Sequence, residues 1–310
     1  MTQPVPFSPS VEPDLESATG PLGGPIPDPR RERVAVRDGL RLSVLAWEGA
    51  ATPFVLVHGL ASNARLWEGV GVALASAGHR VVAVDQRGHG ESDRPAGDYG
   101  FEAVTDDLAA LVERLGLDRP VLVGQSWGAD VVLEAAVRRP GLARGIACVD
   151  GAVADIADAF PDWEACEAAL APPHLDGLAA DAVRGHVAAA HPDWPAWGIE
   201  AVLANFDVRP DGTVSPRLAR DRHLAILRAL WEHRPSRLYP RLTVPALLLP
   251  AEGADAARNA TRRQAVAAAI AANPRVAIRW FSPADHDVHV QQAAAVATAL
   301  RTWLLEVVDR

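Results

Sequence analysis

Residues 121–129 read Val-Leu-Val-Gly-Gln-Ser-Trp-Gly-Ala and carry the strongest local signal in the sequence. An apolar run suited to a buried strand ends at Gly124, and a helix-forming segment follows at residues 129–138. The serine between the two glycines is Ser126. A nucleophile on a sharp strand-to-helix turn needs glycine on both flanks, because a side chain there would collide with the neighbouring strand or helix. The pattern predicts Ser126 as a nucleophile; the alternative is a tight turn with an incidental serine.

Short apolar runs of the same kind recur along the chain, each bounded by loop-forming residues. They occupy residues 54–57, 81–84, 121–124, 146–149, 246–249 and 276–280. Near-continuous apolarity over so few residues is typical of strands buried on both faces of a parallel sheet. The sequence also predicts two amphipathic helices, at residues 101–115 and 296–307, and a hairpin at residues 34–47. We therefore predict an α/β fold with a doubly wound, mostly parallel sheet.

The sequence also divides the chain into three parts. Residues 33–150 and 242–310 carry the strand pattern and form the predicted core domain. Residues 151–241 lack a clear parallel strand and are far too long for a loop, which indicates an inserted helical cap. Residues 1–32 are rich in Pro, Gly and Ser and predict a disordered tail, with a docking peptide as the alternative.

Composition narrows the possible partners and compartment. The net charge of −9 gives no electrostatic reason to expect nucleic acid or an anionic membrane as a partner. No basic n-region followed by an apolar run marks a secretory signal, and no apolar stretch of about 18 residues could span a bilayer. The chain has two cysteines, which is too few for a disulfide framework. We expect a cytoplasmic protein.

An oxyanion at the substrate needs two N–H donors held in place. One is the backbone N–H of Trp127, at the positive end of the helix that follows the nucleophile. The loop after the strand at residues 54–57 reads His58-Gly59-Leu60, and we assign the second donor to the Leu60 N–H. His58 lies close enough to be considered as a base, but a histidine there more often braces the loop by hydrogen bonding.

The general base is expected after the last strand, where residues 285–289 read Asp-His-Asp-Val-His. An imidazole that titrates near pH 6.5 suits proton transfer at neutral pH. The same four acid and imidazole groups, Asp285, His286, Asp287 and His289, have ligand-like spacing for a metal. No third cluster with matching spacing occurs elsewhere, so we predict no metal.

Together these motifs resemble one superfamily. His58-Gly59, the Asp85–Ser92 loop, Gly124–Gly128 and Asp285-His286 have the order and spacing of the α/β-hydrolase superfamily. They look most like its capped esterase, peptidase and carbon–carbon-bond hydrolase branch, over residues 34–310. The resemblance implies that His286 is the base, that His289 is only its neighbour and that the Asp85–Ser92 loop shapes the floor of the site.

The acid that orients the base is where the sequence departs from this family. Its members usually carry Gly-x-x-Asp after the strand at residues 246–249, whereas this chain reads Pro-Ala-Glu-Gly-Ala-Asp at residues 250–255. The glycine is replaced by Ala251 and the acid comes one residue late. We favour Asp255. Asp150, at the end of the preceding strand, is the alternative because some relatives place the acid there, and Glu252 is a third candidate.

The resulting functional expectation is a serine hydrolase with a Ser–His–Asp triad and no cofactor. It would cleave an ester, lactone or related acyl bond of a small-molecule substrate through an acyl-enzyme. Aromatic residues of the cap suggest an apolar substrate, although they could equally be cap core: Trp163, Trp194, Trp197, Phe206 and Trp231. Acyl transfer or perhydrolysis would use the same residues, and a non-catalytic ligand receptor is the alternative from another class. Dehalogenases and epoxide hydrolases need a carboxylate at position 126.

Overall fold

The computed structural model of the chain describes residues 28–308. Residues 1–27 of the predicted disordered tail lie outside the described residues. For residues 30–32 the prediction of a tail is wrong, because the first strand begins at Arg30. Arg31 and Glu32 pair with Leu45 and Val44 of the second strand, so the hairpin extends further than its apolar residues indicate.

Strands and helices alternate along the described residues. The strands are β1 (Arg30–Arg37), β2 (Leu40–Trp47), β3 (Ala51–Val57), β4 (His79–Val84), β5 (Val121–Gln125), β6 (Gly145–Val149), β7 (Phe206–Val208), β8 (Val214–Pro216), β9 (Ala246–Leu249) and β10 (Val276–Ile278). The helices are α1 (Glu68–Ser76), α2 (Phe101–Arg114), α3 (Trp127–Arg138), α4 (Trp163–Leu170), α5 (Ala180–Ala190), α6 (Ala196–Leu203), α7 (Arg220–Glu232), α8 (Ala256–Ala272), α9 (Val288–Gln291) and α10 (Ala293–Trp303). Each apolar run identified in the sequence forms a strand of the main sheet.

The main sheet has eight strands in the order β1-β2-β4-β3-β5-β6-β9-β10. β1 and β2 are antiparallel to their neighbours, and β3, β4, β5, β6, β9 and β10 run parallel to one another. The α/β class and the doubly wound, mostly parallel sheet are therefore confirmed. The strand order reverses between β3 and β5, so the loops that leave these two strands diverge to opposite faces. Such a point is where open α/β sheets bind ligands.

Two apolar layers, one on each face of the sheet, form the core. α2, α3 and α8 cover one face through buried residues that include Leu108, Leu111 and Val266. α1 and α10 cover the other through Leu74 and Leu300, among others. None of the helices within residues 28–308 is long and apolar enough to cross a membrane.

Residues 151–241 lie between β6 and β9 and hold α4, α5, α6 and α7. They also hold a small antiparallel pair, β7 and β8, which the sequence pattern did not predict because each strand has only three residues. Val183, Leu203, Phe206 and Val214 form a separate apolar cluster beside this pair. This insertion, called the cap below, therefore has a small core of its own.

Leu122 provides a test of the buried core beneath the site. It is fully buried in β5, which leads directly to Ser126. We expect Leu122→Ala to lower the free energy of unfolding by about 2–5 kcal/mol, because the substitution leaves a cavity in a close-packed core. Leu305→Ala is the control, since Leu305 is 67% exposed. Urea titrations should separate the two variants, and equal midpoints would contradict the assigned core.

Candidate active site

Ser126 lies on a strained turn between β5 and α3. Its backbone has φ 52° and ψ −125°, a conformation that side-chain-bearing residues rarely adopt and that costs about 1–3 kcal/mol. The Ser126 N–H donates to the Val149 carbonyl at 3.0 Å, which ties the turn to the next strand. A Cβ added to Gly124 would overlap the backbone of Gly128, and one added to Gly128 would overlap the Val57 carbonyl. The two glycines therefore have the steric role that the sequence motif predicts.

Two further glycines let other segments approach the same turn. A Cβ on Gly59 would lie 2.5 Å from the Gln125 side-chain oxygen and 3.1 Å from the Ser126 Cβ. A Cβ on Gly151 would overlap the Ser126 carbonyl. The loops after β3 and β6 thus pack directly against the turn that holds Ser126. The sequence motif did not reveal the requirement at Gly151, because that residue is distant in sequence.

His58 braces the loop after β3, as predicted. It is fully buried; its Nδ1 lies 2.7 Å from the Gly59 carbonyl, and its Nε2 accepts the Gln86 N–H at 3.0 Å. Because Nε2 is an acceptor, the proton lies on Nδ1. Desolvation by burial lowers the pKa of His58, although the charge of Asp85 opposes this. His58 is a neutral structural residue.

His89 holds the next part of this loop. Its Nε2 accepts the Ala61 N–H at 3.2 Å, and Ala61 has a left-handed backbone with φ 55°. Burial keeps the pKa of His89 well below its usual value, so the acceptor nitrogen stays unprotonated. Within residues 28–308, the N–H groups of Leu60 and Trp127 donate to no protein acceptor. These are the two groups that the sequence assigns to the oxyanion.

His286 lies in the loop after β10 and contacts Asp150. The His286 Nδ1 lies 2.6 Å from Asp150 Oδ2; the aspartate side chain is 1% exposed and the imidazole 43%. Asp150 directly follows β6 and has φ 43°, and its Oδ1 accepts the Ala251 N–H at 2.9 Å. The alternative acid of the sequence analysis is therefore the one beside the imidazole.

The favoured acid, Asp255, does not reach His286. Its carboxylate caps the N-terminus of α8 by accepting the Arg258 N–H at 3.0 Å, and it is exposed. The prediction that Asp255 contacts the base is wrong. Ala251 forms an isolated parallel bridge with Phe281, two residues beyond the end of β9. The chain then turns straight into α8, and the late carboxylate becomes a helix cap.

Glu252, the third candidate acid, is also engaged elsewhere. Its two oxygens bind Arg263 at 2.6 and 2.8 Å. This hydrogen bonding to Arg263 lowers the pKa of Glu252. Neither carboxylate after β9 is therefore available to the imidazole, whereas Asp150 is.

The electrostatic surroundings of His286 favour its protonated form. Desolvation alone would lower the pKa of His286, but the hydrogen bond to Asp150 and the charges of Asp287 and Asp150 outweigh it, so the pKa is raised. Arg258 acts in the opposite direction. The pKa of the neighbouring Asp287 carboxyl is raised, mainly because burial disfavours its charged form. The Gln125 side-chain amide donates to the His286 carbonyl at 3.3 Å and links the His286 loop to the turn at Ser126.

His289 faces away from this arrangement. It is fully buried against the Trp67 ring at 4.4 Å between centroids, and neither ring nitrogen has a hydrogen-bond partner within the described part of the chain. Burial lowers the pKa of His289 to about 3. Within residues 28–308, no group of three His, Cys, Asp or Glu side chains is arranged to hold a metal. Asp285 instead approaches the cap, at 3.5 Å from His191 Nδ1.

Not all cap aromatics are free to meet a substrate. Trp194 is buried in a cluster with Leu66 and Val290 where the cap contacts the core domain. Phe206 belongs to the internal core of the cap. For these two side chains packing accounts for the aromatic residue, so they carry no information about substrate polarity.

Polar contacts attach the cap to the core domain at both of its ends. The Asn63 side-chain amide donates to the Ala201 carbonyl at 2.8 Å, beside the loop that holds Leu60.

At the other end of the cap, His233 lies between Asp130 and Glu134 of α3 at 3.1 and 3.2 Å. Desolvation opposes its charge, but hydrogen bonds to both carboxylates outweigh this and raise the pKa of His233 to about 9.

Comparison with known proteins finds similarity to hydrolases over part of the chain. A family described as alpha/beta hydrolase fold matches residues 52–186. Epoxide hydrolase A of Mycobacterium tuberculosis is 42% identical over 107 residues, covering 34% of this chain and 33% of that protein. The 2-(acetamidomethylene)succinate hydrolase of Mesorhizobium japonicum is 35% identical over 111 residues, covering 36% and 40%. The chain thus spans well under half the length of these relatives.

Solved structures match over a much larger part of the chain. The crystal structure of E-2-(acetamidomethylene)succinate hydrolase superimposes with a TM-score of 0.73 and 26% identity, covering 89% of this chain and 98% of that one. The enol-lactonase from Burkholderia xenovorans LB400 superimposes with a TM-score of 0.63 and 21% identity, covering 89% and 100%. The latter likeness concerns the fold alone.

His233 gives a testable pH dependence of stability. A histidine whose folded pKa is about 9 contributes stability fully below its unfolded pKa of about 6.5, and this contribution is lost as pH rises to 9. We expect His233→Gln to destabilise the protein at pH 6 by up to about 3 kcal/mol, and much less at pH 10. Thermal melts of both proteins across this range measure the difference; a gap that is independent of pH would contradict the charged anchor.

Proposed function

The chain belongs to the α/β-hydrolase superfamily, and we propose that within it the protein is a serine hydrolase with Ser126, His286 and Asp150 as its triad. Its substrate would be a small molecule with an ester, lactone or related acyl bond. The observation that carries the proposal is the 2.6 Å contact between His286 and the buried Asp150, at the sheet edge where Ser126 occupies its strained turn. The geometry thus replaces Asp255 with Asp150 in the proposed triad.

Each group has a defined task in this mechanism. The Nδ1–H of His286 donates a hydrogen bond to Asp150, so the proton of the neutral imidazole stays on Nδ1 and Nε2 is free to accept the proton of the Ser126 hydroxyl. Ser126 then attacks the substrate carbonyl, and the Leu60 and Trp127 N–H groups stabilise the oxyanion. His286 protonates the leaving group, and water attacks the acyl-enzyme with His286 again as base.

The serine also limits which relatives can share its chemistry. Attack by a serine oxygen on an epoxide carbon would give an ether, which the site has no means of hydrolysing. Attack on a carbonyl gives an ester, which water can cleave. The likeness to an epoxide hydrolase over 107 residues therefore reflects shared architecture, and acyl chemistry is the proposal that Ser126 supports.

The nucleophile is tested by Ser126→Ala. We expect turnover to fall by roughly three orders of magnitude or more, because the covalent route is lost. Stability should change little, since alanine keeps the same Cβ and the same backbone strain in the turn and the hydroxyl lies outside the core. The measurement is a screen of ester, lactone and amide substrates, together with labelling by a fluorophosphonate probe. Wild-type turnover in Ser126→Ala would end the proposal, and a wild-type protein that is never labelled would favour a ligand receptor.

The acid is tested by comparing Asp150→Asn with Asp255→Asn. An asparagine amide facing His286 favours the tautomer with its proton on Nε2, which cannot accept the serine proton; the same change in the best-characterised triad costs roughly 10⁴ in kcat. We expect a loss of that order for Asp150→Asn. Asp255→Asn should retain activity, because asparagine also caps helices. The reverse ranking of kcat would show that Asp255 moves to the base during turnover.

A further inference from the structure

Asp150 has a third partner besides His286 and the Ala251 N–H. Arg262, from the second turn of α8, places Nη2 3.2 Å from Asp150 Oδ2, the same oxygen that binds His286. Its Nη1 donates to the Ala251 carbonyl. The arginine side chain is only 14% exposed. A partly buried arginine therefore contacts the carboxylate that faces the proposed base.

These contacts close a ring around the carboxylate. The Ala251 N–H binds Asp150 Oδ1, and the Ala251 carbonyl and Asp150 Oδ2 both bind the guanidinium of Arg262. The planar guanidinium can make both bonds in one fixed geometry. Asp150 also has a strained backbone with φ 43°. The ring therefore sets the direction in which the carboxylate points.

The charge of Arg262 acts through the same oxygen. His286 must gain a proton during the reaction, and the negative charge of Asp150 stabilises the imidazolium that results. A cation on Asp150 Oδ2 offsets part of that negative charge. The other charged or titratable groups around His286 are Asp285 and Asp287 on its own loop, Arg258 on α8, His289 on α9 and His191 of the cap.

We propose that Arg262 is a positioning residue for the Ser126–His286–Asp150 site. It holds Asp150 aimed at His286, and its charge limits how strongly the imidazole retains a proton, so that the base is available at lower pH. The role in catalysis rests on the proposed serine-hydrolase function. The effect of Arg262 on His286 is a property of the resting protein and can be measured without a substrate.

The experiment is an NMR titration of the histidine side chains in the full chain. The His286 signal is assigned by its absence in His286→Gln. We expect Arg262→Gln to raise the pKa of His286 by about 0.5–1 unit, the size expected for loss of a nearby partly screened charge. The acidic limb of the pH profile of fluorophosphonate labelling should shift upward equally.

Arg263 provides a matched control on the same helix. Arg263 pairs with Glu252 and lies over the Trp280 ring, and has no contact with Asp150. Arg263→Gln removes the same charge one position away, and we expect the pKa of His286 to stay at its wild-type value. Equal pKa values in Arg262→Gln and Arg263→Gln would overturn the proposal.

Arg262→Lys separates the effect of the charge from the effect of the geometry. It also replaces Arg262→Gln as the test variant if Arg262→Gln fails to fold. A lysine keeps the positive charge but lacks the planar fork. The pKa of His286 should then remain at its wild-type value, while kcat falls with KM unchanged. Wild-type kcat in Arg262→Lys would contradict the positioning role. A protein that no fluorophosphonate labels would refute the serine-hydrolase function, whereas the NMR titration would still decide the effect of Arg262.

Discussion

The close approach of three loops at the carboxyl edge of the central sheet is the constraint on which the site depends. Gly59, Gly124, Gly128 and Gly151 all lie where an added Cβ would meet backbone or the Ser126 and Gln125 side chains. Since β3 and β5 are adjacent and parallel, their following loops leave the sheet at the same edge. The glycines let these loops pack without a gap. The strain at Ser126 persists because the packing around it leaves the backbone no alternative.

The strands and the nucleophile turn could be predicted from the sequence because their signals are local. Each parallel strand is a short apolar run, and the glycines around Ser126 lie within two residues of it. The histidine after the last strand is similarly marked by its position. The extent of β1 and the short β7 and β8 were not predictable, because three-residue strands and a charged edge strand leave no apolar periodicity.

The carboxylate that contacts His286 was not predictable, because the choice depends on tertiary geometry. Asp150 and Asp255 both follow a strand of the sheet, and the family pattern favours the latter position. What distinguishes them in the structure is contact, because Asp150 lies 2.6 Å from His286 whereas Asp255 caps α8 beyond the Ala251–Phe281 bridge. No signal in residues 250–255 reveals that pairing. The left-handed backbone of Asp150 is likewise visible only in three dimensions.

The loop that carries His286 is also held by groups outside the proposed triad. Gln125 donates to the His286 carbonyl, and the same side chain lies against Gly59 of the loop that holds Leu60. On the cap side, His191 approaches Asp285, and Gln291 donates to Asp193. The His286 loop is therefore held by the sheet through Asp150, by the turn at Ser126 through Gln125 and by the cap through two polar contacts. The cap contact at Asp285 lies one residue from His286, so the cap helps to hold the loop that carries the imidazole.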